Sequence, residues 1–513
     1  MNYKNLGKIL GKIITLEGIL MLAPMIVALI YHEDARHILA FAIPAAALIL
    51  MGLFSHLLRP KRNHLYQKEG FALTAMVWIL LPLFGAIPFV INGDIPHFID
   101  AFFEITSGFT TTGASILADI TAVSHSTLFW RSFSHWIGGM GILVFVLIFI
   151  PESDDGSAMH LLRAESPGPQ VGKLVSKMKA TTRILYMIYF GLTLLEIIVL
   201  MCDKPIPGYE NEKLFFSILA TFGCAGTGGF GFIPESMALF SPFSQYVMAI
   251  FLLLFGCNFG LYYLILVGKI RTVLRSEELK SYVFLVTASV IFIFVSLVAK
   301  FESFPQFYTT EEAFRHSLFQ VASLITTAGF TTTDYHVWPT EATYTLIVLM
   351  FTGAMAGSTA GGIKISRIVL AVKSACNNVR RLINPRYIAK TKFEGKTLEE
   401  KTVNDVFSFI TLYFFIMIAV IFLLSFDPVN KTIVTIFSDA GVYTVEHGFF
   451  SNFSATLACI SNIGPGFEAV GPYASYGGYS DFSKILLSFC MILGRLEILP
   501  VLILFSPKTW KKV

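Results

Sequence analysis

Apolar residues run in long blocks along this chain, separated by short polar connections. Blocks at 71–91, 128–150, 184–201, 246–267, 282–298 and 406–424 approach or reach the roughly 20 residues that cross a hydrocarbon core ~30 Å thick. Two more, at about 14–31 and 38–58, precede them, and further ones run from Tyr344 and over 484–505. The block at 14–31 follows Lys4, Lys8 and Lys12, as a signal peptide would. It is long, carries Glu17 and lacks a clear small-residue cleavage site, so it reads as a retained helix.

Between the blocks lies a repeat. Each unit reads as an apolar span, a short half-helix, a Thr/Gly-rich segment and a second apolar span. The half-helix and its segment read IDAFFEITSGFTTTGAS in the first unit and KLFFSILATFGCAGTGGFG in the second. The third has EEAFRHSLFQVASLITTAGFTTTD, and the fourth ends ATLACISNIGPGF. The predicted fold is therefore an all-α polytopic membrane protein: four membrane-pore-membrane repeats around a pseudo-fourfold pore, plus two N-terminal transmembrane helices. The expected divisions are 1–68 for the leading helices, 69–155 for repeat 1, 180–275 for repeat 2 and 278–375 for repeat 3 with a broken second helix. A basic connection at 376–403 and repeat 4 at 404–513 complete the chain.

Charge placement agrees with this count. Lys and Arg gather in alternate connections: Arg59 to Lys68, Arg163 to Arg183, Lys269 to Lys280, Arg367 to Lys401, and Lys508 to Lys512. The positive-inside rule makes that side cytoplasmic, both termini included, and puts the four Thr/Gly segments on the opposite side. Anionic lipid accounts for these clusters without nucleic acid. The composition is 55% hydrophobic and only 14% charged, too little polar surface for a soluble protein of this size. The six cysteines include no CxxC pair, so neither a disulfide framework nor a zinc site is indicated; they read as small packing residues.

Non-helical backbone at membrane depth is tolerated only where it is buried or lines a wet cavity. Converging carbonyls there replace a cation's hydration shell. Glycine permits the dihedrals that turn successive carbonyls to one axis, threonine adds a hydroxyl oxygen, and the C-terminal end of each half-helix favours a cation. Aligned, the candidate ion-binding segments are Thr111-Thr112-Gly113, Thr227-Gly228-Gly229, Thr327-Ala328-Gly329 and Asn462-Ile463-Gly464. Gly113, Gly229, Gly329 and Gly464 are expected at equivalent positions around the pseudo-axis.

The motifs SGFTTTGAS, HWIGGMGI at 135–142, LLRAESPGP at 161–169, TTAGFTTTD and GSTAGGIKISR resemble the TrkH branch of the TrkH/KtrB/HKT potassium-transport superfamily. The resemblance covers nearly the whole chain. It implies K⁺ as the transported ion held at the four segments, a homodimeric subunit of the bacterial cytoplasmic (inner) membrane, and a cytosolic nucleotide-binding regulatory partner. The fourth segment departs from the others: Asn462 replaces threonine and Pro465 follows the glycine.

Two features below the segments read as a gate. GAMAGSTAGG at 353–362 cannot persist as a continuous helix and is expected to form an intramembrane loop, with Gly357, Ser358, Gly361 and Gly362 as its gating residues. Arg495 lies deep in an apolar helix, where charge faces a cavity or a partner, and reads as an electrostatic barrier. Glu497, two residues on, is not its evident partner. Glu17, Glu196 and Arg131 read as structural, and His135 and His316 as packing residues. The rival transport reading is a secondary transporter that couples Na⁺ or H⁺ to another solute; inverted repeats and midplane acids would mark it, and these repeats all start inside. An enzyme is disfavoured, since HExxH, Gly-x-Ser-x-Gly and Walker-type motifs are all missing.

Overall fold

A computed structural model describes residues 2–55, 57–58, 66–141, 178–300, 309–386, 390–439 and 441–510. The motif at 161–169, most of the basic cluster from Arg163 onward, and the second half of the block at 128–150 lie outside the described residues. Among the described residues, six helices are long and apolar enough to cross a membrane: Tyr3–Ile30, Ala35–Ser55, Lys68–Asn92, Ala180–Met201, Glu277–Ala299 and Glu400–Leu424. The first two lead the chain; each of the other four opens a unit as its outer helix.

Every outer helix is followed by a short pore helix: Phe98–Phe109, Lys213–Gly226, Thr310–Ile325 and Phe449–Ile460. These are too short to span a bilayer, and most of their residues are buried. Each leads into a Thr/Gly segment and then an inner helix: His125–Gly139, Pro242–Phe255, Thr340–Thr352 and Asp481–Arg495. Among the described residues, two small antiparallel hairpins are the exceptions to an otherwise helical fold. One pairs Lys392–Phe393 with Lys396–Thr397, and the other pairs Ile433–Ser438 with Gly441–Glu446.

The repeat extends to details that hydropathy does not carry. Ser124, Ser241 and Ser480 cap three of the inner helices, each accepting from a backbone N–H three residues on. The same hydroxyls donate to Asp94, Asp203 and Asp427, which follow the outer helices of their own units. The third unit replaces this staple with Glu341, which binds Ser296 at 3.0 Å and Lys300 at 2.7 Å. Burial works to raise the Asp427 carboxyl, but the hydroxyls of Ser480 and Ser483 hold it below its usual range.

All four inner helices end at corresponding points. The first ends at Gly139, and Gly141 has φ +85°. The second turns by 91° between Phe255 and Phe259. The third opens into the 353–364 loop, and the fourth stops at Arg495, with Glu497 and Ile498 at φ +54° and +68°. The apolar blocks at 246–267 and 484–505, read as continuous spans, are thus interrupted. Glycine lies at or near every break, and apolarity alone is blind to the bend because both halves remain in a nonpolar setting.

Candidate ion-binding ring and gate

The four pore helices end in one shared local geometry. Thr111, Thr227, Thr327 and Asn462 are all left-handed, with φ between +54° and +58°. The next residue in each segment donates its N–H five residues back, at 2.8 Å in all four: Thr112 to Ser107, Gly228 to Gly223, Ala328 to Ser323 and Ile463 to Ala458. Left-handed backbone at a non-glycine residue is uncommon, and four occurrences in register mark one repeated device.

These ends close into a ring. A Cβ added to Gly113 would stand 2.9 Å from the backbone N of Gly229, and one on Gly229 would stand 2.5 Å from the N of Phe330 and 2.6 Å from the O of Ala328. A Cβ on Gly329 would overlap the carbonyl of Ile463, and one on Gly464 would lie 2.6 Å from the carbonyl of Thr112. Each segment abuts the next in chain order, and the fourth returns to the first. Three of the glycines have φ between +82° and +99°; Gly229 does not, so there close approach alone forbids a side chain.

The ring is held from behind by side chains. Arg131 pairs with Glu104 at 2.7 Å, both essentially unexposed, and donates to the carbonyl of Gly231 at 3.0 Å. Glu104 also accepts from Ser115 Oγ and Ile116 N, so one ion pair ties the exits of the first two segments together. His135 binds the carbonyl of Gly108 at 2.8 Å and packs on Phe230. Tyr476 and Tyr335 donate to the carbonyls of Gly464 and Gly466 at 2.7 and 3.0 Å. Beyond the third segment, Thr333 Oγ1 and Asp334 N donate to Asp439 on the larger hairpin. Burial raises the carboxyl of Asp439 above its ordinary value, against those two bonds.

The fourth segment keeps the ring's backbone while its side chain takes another role. Asn462 donates to Thr112 Oγ1 at 3.0 Å and to the carbonyl of Met491 at 2.8 Å, a strut between the first segment and the fourth inner helix. Thr327 Oγ1 is also engaged, accepting from Gly361 N at 2.7 Å.

That last bond joins the ring to the loop beneath it. Gly361 is the loop residue that meets the ring; a Cβ on it would press on the carbonyl of Ser461. Gly357 and Ser358 instead form a turn against the second unit's break, where the Gly357 carbonyl accepts from Phe259 N at 3.0 Å. Gly362 crosses Gly353 at the loop's neck, a close approach of two main chains.

Arg495 lies at the loop's underside. It donates to the carbonyl of Thr359 at 2.8 Å, to that of Gly139 at 2.7 Å, and to that of Gly138. Glu497 pairs with Arg367 at the start of the next helix, not with Arg495. One important residue went unread in the sequence: Glu278, which is buried and accepts from Ala356 N at 2.7 Å, holding the loop from the third outer helix. Its position at the end of an apolar span resembles an ordinary helix-start carboxylate, which is why no pattern exposed it.

Four re-entrant units around one ring, with a loop and an arginine below it, define a multi-pass membrane protein of the pore-loop class. The profile of the TrkH family, described as a cation transport protein, matches residues 37–512, and the chain belongs to that family. It is 31% identical over 522 residues to the Trk system potassium uptake protein TrkH of Escherichia coli K12, covering 100% of both chains. It is likewise 31% identical to TrkG of the same strain, covering 98% of this chain and 97% of that one. The crystal structure of the potassium transporter TrkH from Vibrio parahaemolyticus superposes with a TM-score of 0.83 at 28% identity, covering 100% of both chains.

Proposed function

We propose that this chain takes up K⁺ across the bacterial cytoplasmic membrane, with the ion held by main-chain oxygens of the four segments at 111–113, 227–229, 327–329 and 462–464. The observation that carries this reading is the closed succession of four backbone segments, each against the next. Carbonyls so gathered replace water around a dehydrated cation, and four pore helices aim their partially negative ends at the same place. The relatives named for potassium uptake support K⁺ as the cargo.

The loop at 353–362 and Arg495 then obstruct the path below the ring. Arg495 adds a positive charge to the obstruction, and its bonds to Thr359 and Gly139 bind the loop to the first inner helix. Opening requires those bonds and the Glu278–Ala356 bond to release together. The basic side is cytoplasmic, with both termini on it, and the stretch from Arg367 to Lys401 is the docking surface for a cytosolic nucleotide-binding regulatory subunit. The chain works as a homodimer. No chemical conversion is involved.

Expression in a bacterium stripped of its own K⁺ uptake systems, together with the regulatory subunit, restores growth at low K⁺. Failure despite confirmed membrane insertion of the complete complex refutes the proposal. A second reading, uptake coupled to H⁺, is favoured by one observation: Glu17 is 2% exposed inside a span, with no hydrogen-bond partner among the described residues. Under that reading Glu17→Gln abolishes K⁺-driven proton movement in vesicles while leaving K⁺ binding intact.

A further inference from the structure

Between the third outer helix and the helix Ile365–Ile383 lies a cavity of about 350 Å³ that the ion pathway does not use. Phe284, Leu285, Ile368 and Val369 make its walls apolar, and Lys280 and Ser281 stand at one end. Lys280 sits in the first turn of Glu277–Ala299, about 5 Å from the helix start, and Leu285 about 12 Å in. The cavity therefore runs from the basic face of the membrane into the adjoining leaflet. Glu277 is taken by Lys373 at 2.6 Å, and among the described residues Lys280 has no carboxylate partner. Its neighbours in sequence add Lys269, Arg271 and Arg275 on the same side.

The cavity also touches both ends of the gate loop, since Thr352 precedes the loop and Ile365 follows it. The loop's neck is stapled there by Ile363 N to Phe351 O, Lys364 N to Thr352 O and Ile365 N to Ala354 O, at 2.9 to 3.3 Å.

We propose that this cavity is a binding site for an anionic phospholipid, its headgroup on Lys280 and its acyl chain against the neck of the gate loop. An apolar slot open to the leaflet takes hydrocarbon, and an unneutralised lysine at its headgroup end selects negative charge. A chain lodged there packs against the stapled neck, so occupancy favours the closed loop. That regulatory consequence rests on the transport reading above; the lipid site itself does not.

Native mass spectrometry of the full-length protein, released from vesicles of phosphatidylglycerol and phosphatidylethanolamine, reads the site without measuring transport. Wild type retains phosphatidylglycerol. Lys280→Glu lowers its retention at least tenfold, and Ile368→Trp, which fills the slot, removes it while the protein stays folded by thermal melting. In flux assays, wild type responds to phosphatidylglycerol against pure phosphatidylcholine, and Ile368→Trp does not. Equal retention of phosphatidylglycerol by all three proteins, or equal retention of both lipids by wild type, overturns the site. So does efficient intermolecular crosslinking of Phe284→Cys, which would place a second copy of the chain there. Loss of lipid with unchanged flux overturns only the regulatory consequence.

Discussion

The glycines of the ring allow a graded test. A Cβ at Gly464 would lie 2.6 Å from the Thr112 carbonyl oxygen and 2.7 Å from the carbonyl carbon of Gly113, both main-chain atoms. Retreat to an ordinary 3.4 Å contact requires the fourth segment to move outward by about 0.8 Å. At Gly113 the nearest atom is 2.9 Å away, and the corresponding retreat is about 0.5 Å. Both positions have φ well above zero, at +99° and +82°, where an alanine costs about 1–3 kcal/mol. If the occupied ring carries that cost, apparent K⁺ affinity falls roughly 5- to 150-fold. Gly464→Ala is expected to weaken uptake and K⁺ over Na⁺ discrimination more than Gly113→Ala. Gly191→Ala, whose Cβ would meet nothing within 4 Å, is expected to change neither. The assay is concentration-dependent ⁸⁶Rb⁺ uptake with Na⁺ competition, normalised to protein in the membrane. Equal behaviour of Gly464→Ala and Gly191→Ala would remove the ring from the transport path.

The gate yields further expectations. Arg495→Ala removes one bond to the loop and two to the first inner helix, the bridge that ties them together, so cation flux without the regulatory subunit should rise; a well-folded variant with wild-type basal flux would contradict this. Glu278→Gln weakens the bond to Ala356, and charged hydrogen bonds contribute about 1.5–3 kcal/mol. It should shift the loop toward opening by roughly tenfold or more, read as basal flux in reconstituted vesicles. Glu104→Gln leaves Arg131 buried beside a neutral partner and should lower thermal stability in detergent by about 3–5 kcal/mol. The double replacement Glu104→Gln with Arg131→Met should recover part of that loss. A double variant no more stable than Glu104→Gln would argue against a coupled pair.

Spans, units and the register of the four segments are legible in the sequence because each rests on chemistry that local pattern records. Apolar length marks the outer helices, and Gly with Thr marks the ends of the pore helices. The break in the third inner helix is legible too, since four glycines between 353 and 362 leave no helix to propagate. The other three are harder to read: Gly138, Gly139 and Gly141 cluster at the first, but Gly256 and Gly494 fall within blocks apolar enough to read as continuous spans. Partner choice is the larger loss. Glu497 finds Arg367 130 positions away, and Glu104 finds Arg131 across two elements. Asn462 reads as a defect in a threonine pattern, yet its backbone matches the other three, and its amide braces the first segment. Spacing along the chain cannot reveal contacts that only the closed ring creates.

One dehydrated cation is expected inside the ring of main-chain oxygens. Anomalous diffraction from crystals of the protein equilibrated with Tl⁺ in place of K⁺ tests it most directly. A peak is expected on the pseudo-axis, enclosed by residues 111–113, 227–229, 327–329 and 462–464, and should fade as K⁺ is returned. Tl⁺ bound elsewhere, with the ring empty at saturating concentration, would contradict it.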